Sequence, residues 1–453
     1  ITLISFITVL AGTMFWAPIA VILMTVPSAI ITYKYRKKMF GYMRFHSKER
    51  RQLEYYSQLL TDKDLVKEVK LFDLGDMFID KYSGTFKTYF KGMKRLIVQE
   101  GGWGIGIATA QSVLNGGIFL RIAYLVYSGL LTIGDYSLYT NALFSISNSV
   151  SSLITTTGSI YEGTLYIDNL ITFMNVEPTV VSILLTPRKV NHHAPHIIEF
   201  KNVSFKYPGS EDYVLKNVSL KLNSGSCTAI VGQNGSGKTT FIKLLCRLYD
   251  PTEGTITLNG RDIREYDYAQ YMSIFSVVFQ DFKLFDFMLA QNVASGTEYD
   301  GGLVTECLEK SGFGERMKSL PGGIETYLRK GFSKQGVDVS GGEAQKIALA
   351  RTLYRDAPFI VLDEPTAALD PIAESEMYAH FNSIVGGKTA VYISHRLSSC
   401  RFCDEILVFS EGSVVEQGTH EDLLSNEGSK YHELWFAQAQ YYANDEAVSK
   451  LFA

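Results

Sequence analysis

Gly232-Gln-Asn-Gly-Ser-Gly-Lys238-Thr239-Thr240 lies between the apolar run Thr228-Ala-Ile-Val231 and the helix-like stretch Phe241-Ile-Lys-Leu-Leu-Cys-Arg-Leu248. A buried strand, a glycine-rich turn and a helix N-terminus together make a cradle for phosphate. Gly232, Gly235 and Gly237, with Asn234 and Ser236 between them, let successive backbone N–H groups face one anion without Cβ clashes. The helix end, opening at Lys238 to Thr240, adds partial positive charge. In such a loop Lys238 reaches the β- and γ-phosphates, and the Thr239 hydroxyl holds Mg²⁺. The loop therefore predicts an α/β nucleotide-binding domain around it.

Outward from that loop, composition divides the chain. Its 453 residues exceed one domain, and its net charge of −4 gives none of the basic footprint that nucleic-acid binding requires. Up to about Ser159 there are apolar blocks nearly free of charge, whereas from Ile197 the composition is that of a soluble domain. Residues 1–33 carry no charged side chain. A helix needs only about 20 residues to cross the hydrocarbon core, so this is the tail of one span followed by a full span from Pro18 to Tyr33. A helix cannot begin partway through a bilayer, so further residues are expected before Ile1. Lys34, Arg36, Lys37, Lys38, Arg44, Lys48, Arg50 and Arg51 then mark the cytoplasmic side.

Phe78, Tyr82, Phe86 and Phe90 step by four along a helix that is not membrane-like. Before it, 62–75 reads as a short helix at the cytoplasmic tips. Two further spans are expected at Trp103–Ser128 and Tyr136–Ser159, joined by Ser128–Asp135, which has no Lys or Arg and suits an outside loop. Arg121, the one charge deep in these spans, reads as snorkelling outward or pairing within the bundle. The domains expected are an all-α transmembrane bundle over 1–178, a linker over 179–196, an α/β nucleotide-binding domain over 197–440 and a tail over 441–453.

All five cysteines (Cys227, Cys246, Cys307, Cys400, Cys403) lie in the soluble part, consistent with a reducing cytosol. Cys400-Arg-Phe-Cys403 reads as buried structural thiols rather than a redox or zinc pair, because no second pair accompanies it. His192, His193 and His196 read as solvated linker residues. Ile198–Phe205 alternates as an edge-type strand, and Val214–Leu222 alternates too.

The remaining chemistry is carried by strand ends. Phe359-Ile-Val-Leu-Asp363-Glu364 spells a fully buried strand delivering two carboxylates to the edge where open α/β sheets hold ligands. Asp363 is expected to hold the Mg²⁺ shell, and Glu364 to act as general base toward the attacking water. Gln280 follows the buried-strand spelling Ser276–Phe279 and is positioned to ligate Mg²⁺. His395 ends another core strand, where it would bridge Glu364 and the γ-phosphate. Tyr207 lies upstream, as an aromatic that stacks on adenine would. Val339-Ser340-Gly341-Gly342-Glu343 opens a second helix with an anion nest of its own. Two phosphate-binding helix ends in one chain suggest nucleotide held between two copies.

In this order, Tyr207, Gly232–Thr239, Gln280, Val339–Glu343, Asp363-Glu364, Ala368-Leu369-Asp370 and His395 together resemble the ATP-binding-cassette (ABC) domain: A-loop, Walker A, Q-loop, signature, Walker B, D-loop and H-loop. With spans ahead of the cassette, the chain is similar to an ABC exporter half-transporter. The resemblance implies ATP and Mg²⁺ as ligands and Asp370 as part of the site. It also implies six helices per chain, of which the last four are present, a domain-swapped homodimer, and 62–75 as the second coupling helix. The signature departs from the usual Leu-Ser-Gly-Gly-Gln in its first and last residues. Lys330–Asp338 and Lys67-Glu-Val-Lys-Leu-Phe72 look closer to bacterial peptide and lanthipeptide exporters, implying peptide export across a bacterial cytoplasmic membrane. Lipid or multidrug export is the alternative within transport. A regulatory or mechanical ATPase is the alternative outside it, disfavoured by the spans.

Overall fold

The computed structural model describes residues 2–11, 14–62, 65–191, 194–365, 385–394 and 396–442. The chain forms two compact units, Ile1–Glu177 and Pro178–Ala453.

The first unit is helical: α1 Thr2–Ala11, α2 Trp16–Phe45, α3 Ser47–Thr61, α4 Val66–Leu71, α5 Gly75–Tyr127 and α6 Ile133–Met174. The helices run further than the apolar stretches alone suggest. α2 continues from the span through the basic cluster, and α5 joins the aromatic stripe and the next span in one rod. Leu10, Val21, Ile118, Ile122, Leu143 and Ile146 form a buried core, while Ile19, Leu23 and Ile30 point outward, as a helix in lipid allows. Among the described residues, α2 and α5 are long and apolar enough to cross a membrane. α6 is diluted by hydroxyl residues, but Thr155, Thr157 and Ser159 donate to carbonyls one turn back, which lowers the penalty of placing them in an apolar setting.

The predicted outside loop ends in a capping box. The Thr132 and Asp135 side chains each take up the other's backbone N–H and so start α6. At the basic end, Arg36 Nη1 donates to Glu162 Oε2 at 2.5 Å, and the Tyr33 and Tyr161 rings meet at 4.6 Å, joining α2 to α6. Arg121 is exposed, with its guanidinium 5.9 Å from the Tyr124 ring one turn along α5.

The second unit contains β1 Ile198–Phe205, β2 Leu215–Leu222, β3 Cys227–Gly232, α7 Lys238–Leu245, β4 Glu253–Leu258, β5 Arg261–Asp262, α8 Tyr268–Ser273, β6 Phe275–Val278, α9 Leu289–Ala294, α10 Gly301–Lys310, α11 Gly314–Lys318, α12 Gly341–Arg355, β7 Phe359–Asp363, β8 Thr389–Ile393, β9 Glu405–Ser410 and β10 Ser413–Gly418. A six-stranded sheet runs β10-β9-β3-β8-β7-β6, parallel except for the β9–β10 hairpin. β3, β7 and β8 are buried along nearly their whole length, as parallel strands covered on both faces must be. A second, antiparallel sheet runs β2-β1-β4-β5. Leu289, Val293, Val304, Leu308, Phe313 and Ile347 make a separate helical core around α9 to α12.

Three expectations need correction. β1 is not an edge strand, because β2 and β4 pair with its two sides. Alternation reports which face is buried and is silent about lateral neighbours. His196 is not solvated but buried, with its ring edge-on to Phe359 at 6.2 Å; His192 and His193 lie outside the described residues. The segment read as a linker is fastened to the domain that follows it. Ile183 N–H and Arg188 N–H donate to the Arg264 and Glu265 carbonyls, and Val190 N–H donates to Gln270.

Arg247, with its side chain wholly buried, completes that fastening. It donates to the carbonyls of Val181 at 2.8 Å and Ile263 at 3.0 Å and pairs with Asp250 at 3.1 Å. Removing it takes a donor from the carbonyl of buried Ile263 and an ion-pair partner from the partly exposed Asp250 carboxylate. Arg247→Met is expected to destabilise this unit by about 1–3 kcal/mol, read as a lower midpoint in chemical denaturation.

Candidate nucleotide site

The glycine-rich loop leaves the C-terminal end of β3 and enters α7, around a cavity of about 350 Å³ lined by Val214, Asn234 to Thr240, Gln280 and Glu364. Two glycines are sterically required. Gly232 has φ +150°, and a Cβ there would fall 2.2 Å from the Phe409 carbonyl oxygen. Gly237 has φ +103°, and a Cβ there would fall 2.6 Å from Leu215. Lys238 begins α7 and folds its ammonium back over the loop, donating to the Gly232 carbonyl at 2.8 Å and the Gln233 carbonyl at 3.0 Å. Burial pulls its pKa down, opposed by the carboxylates of Glu364 and Asp363.

β8 lies between β3 and β7, so the loop after β3 and the carboxylates ending β7 share one sheet edge. Asp363 is almost fully buried. Its Oδ2 accepts from Thr239 Oγ1 at 3.3 Å, and its Oδ1 has no partner. Burial, reinforced by the Glu364 carboxylate, pushes the Asp363 carboxyl up to about 6. A buried carboxylate oxygen left unpaired beside a threonine hydroxyl is a donor set that suits a hard divalent cation. Ser236 Oγ is likewise buried without a partner.

Glu364 has φ +51°, a left-handed conformation that a non-glycine residue rarely adopts. It is held there on three sides. Its N–H donates to the Ile393 carbonyl at 3.1 Å, its carbonyl accepts from Gln345 Nε2 at 3.1 Å, and its carboxylate accepts from Gln280 Nε2 at 3.0 Å. Gln345, buried on α12, was missed by sequence reasoning. Its only signal is a polar residue on the apolar face of a helix, which does not reveal its partner.

Tyr207 is not among the cavity's walls. Its hydroxyl bonds the Thr240 hydroxyl at 3.0 Å, and Lys243 lies 5.4 Å from its ring. Ser340, Gly341 and Gly342 also lie outside this cavity, at the start of α12, where Ser340 is the N-cap and accepts from Glu343 N–H. Ala368, Leu369, Asp370 and His395 lie outside the described residues. The five cysteines are buried and free, with Cys227 and Cys403 sulfurs 2.7 Å apart. Among the described residues no group of three or more His, Cys, Asp or Glu side chains comes together as a metal site, at these cysteines or elsewhere. Burial drives the Cys400 thiol up to about 12, which keeps it protonated and inert.

Residues 215–367 match the family model described as ABC transporter. Over 437 residues the chain is 33% identical to the subtilin transport ATP-binding protein SpaT of Bacillus subtilis, covering 93% of this chain and 69% of that protein. The chain belongs to the ABC exporter family. It is a half-transporter, with a multi-pass helical membrane region followed by an ATP-binding cassette, and its ATPase activity is coupled to transport. This exporter is also 34% identical to the mitochondrial iron-sulfur clusters transporter ATM1 of Candida glabrata, over 82% of the chain but only 51% of that protein. Among solved structures, a bacterial Atm1-family ABC exporter with ATP bound superposes with a TM-score of 0.79 at 26% identity, covering 98% of this chain and 76% of that one. Half-transporters of this kind typically work as homodimers.

Proposed function

We propose that this exporter moves a peptide out across a bacterial cytoplasmic membrane as a pair of identical chains. In this reading ATP binds between the glycine-rich loop of one chain and Ser340, Gly341 and Gly342 of the other. The observation that carries it is the division of the phosphate-binding equipment. Lys238, Thr239, Glu364 and Gln280 line one cavity, with the Asp363 carboxylate bonded to Thr239 behind it, while the second nest opens elsewhere on the same cassette.

Thr239 Oγ1, Asp363 and Gln280 would hold Mg²⁺, which when bound offsets charge on the phosphates. The Lys238 ammonium binds phosphate oxygens, and the N–H groups of Gly235 to Thr239 orient them. Glu364, held by Gln280 and Gln345, takes the proton of the attacking water. His395 and Asp370 complete the site at the γ-phosphate and the second chain. Tyr207 serves adenine from beside Thr240. The segment 62–75, of whose described residues only Val66–Leu71 are helical as α4 ahead of α5, would pass cassette movement to the spans.

Peptide cargo is supported by the Lys67–Phe72 and Lys330–Asp338 strings and by the subtilin transport relative. In proteoliposomes, lanthipeptide precursors are expected to stimulate ATP hydrolysis and to accumulate in the lumen only when ATP is present. Stimulation by phospholipid alone would reassign this chain as a lipid flippase. Hydrolysis without accumulation of either cargo would point to a regulatory ATPase.

A further inference from the structure

The second phosphate nest carries an acidic side chain where an uncharged one would cap the helix equally well. In the first turn of α12, Glu343 Oε2 accepts the Ser340 N–H at 2.8 Å, and Ser340 Oγ accepts the Glu343 N–H at 3.2 Å. This capping box fixes the serine hydroxyl and the direction of the free N–H groups behind it. A carboxylate at a helix N-terminus stabilises an empty helix end, but it repels any second anion brought to the same place. The nest is thus well formed and wrongly charged for a phosphate.

The compensating cation comes from α11. Arg316 Nε lies 2.8 Å from Glu343 Oε1, the carboxylate oxygen that the capping box leaves unused. A further hydrogen bond, from Arg316 Nη1 to Ser319 Oγ at 3.3 Å, steadies the guanidinium. The two oxygens of Glu343 therefore divide their roles, Oε2 orienting Ser340 while Oε1 meets a positive charge. Both side chains are partly exposed, so the pair contributes little to stability as a surface ion pair. Its consequence is electrostatic and local to the helix end.

We propose that Arg316 is a positioning residue for ATP hydrolysis, neutralising and orienting Glu343 so that the Ser340–Gly342 nest accepts the phosphates of nucleotide bound to the other chain. This inference rests on the two-chain site proposed above. Without Arg316, the bare Glu343 carboxylate faces the incoming phosphate, and closure of the pair requires more ATP. The effect falls on the ATP concentration dependence more than on the turnover rate at saturation, because Glu364, Lys238 and Asp363 are untouched.

The test uses the full chain in nanodiscs, with ATP hydrolysis measured against ATP concentration. Arg316→Met is expected to raise the apparent KM for ATP about three- to tenfold, with kcat changed by less than about twofold. Arg316→Lys keeps the charge and should recover most of the loss. In a Glu343→Gln background, which keeps the cap and drops the charge, Arg316→Met should leave KM unchanged within about twofold. An unchanged KM in Arg316→Met overturns the proposal, as does a double variant as impaired as Arg316→Met alone, since that marks a purely structural arginine. The two-chain reading is checked separately by ATP-dependent cassette closure in Glu364→Gln. If closure occurs and Arg316→Met has no effect, the inference alone falls; if closure never occurs, both fall.

Discussion

Glu364→Gln is expected to lower steady-state phosphate release by about 10²- to 10⁴-fold while leaving ATP binding intact, because a positioned general base typically supplies that factor. The amide is nearly isosteric with the carboxylate, and its oxygen still accepts the hydrogen bond that Gln280 Nε2 now makes at 3.0 Å. The backbone restraints on residue 364, from the Ile393 carbonyl and the Gln345 amide, do not involve the side chain. Geometry is therefore retained and only basicity is lost. Retention of labelled ATP on the purified protein, set beside phosphate release at saturating ATP, separates the two. Turnover close to that of the unmodified chain would remove Glu364 from its role.

Lys238→Met has the second large effect and the opposite signature: binding itself fails. The ammonium is the formal positive charge in the cavity wall, and it already bridges the two carbonyls that shape the loop. Charge-assisted hydrogen bonds to phosphate account for several kcal/mol in a partly buried site, so affinity for ATP should fall by about 10²-fold or more. Thermal stability without nucleotide should barely change, since burial already disfavours that charge in the folded protein. Isothermal titration with ATP and a melting curve on the same sample read both quantities. A large drop in melting temperature without nucleotide would mean that Lys238 acts as a structural latch.

Much of the catalytic half was legible in the sequence, because its signals are local. A run such as Phe359–Leu362 has to be buried on both faces, and whatever follows it has to emerge at the sheet edge. The same reasoning placed Gln280 and the glycine-rich loop, and three separate strand ends met in one cavity. What escaped was set by partners distant in sequence. Arg247 reaches Val181 across 66 positions, and Arg316 reaches Glu343 across two helices. Neither pairing leaves a periodicity to find. The left-handed backbone at Glu364 was hidden for a different reason, since no glycine or asparagine advertises it. In the membrane region, hydropathy located the apolar stretches within α2 and α5. It did not show that α2 and α5 continue unbroken past them, because charged residues that end a span do not end a helix.

The central claim is that ATP binding by the cassettes, reset by hydrolysis, rearranges helices in lipid. It is tested most directly by a spin label at Leu130, an exposed position in the turn between α5 and α6. Distances between labels on two copies of the Glu364→Gln chain would be measured in nanodiscs, with and without ATP and Mg²⁺. The account predicts a distinct shift in the distance distribution when ATP is added. Identical distributions in a sample that demonstrably retains ATP would contradict it.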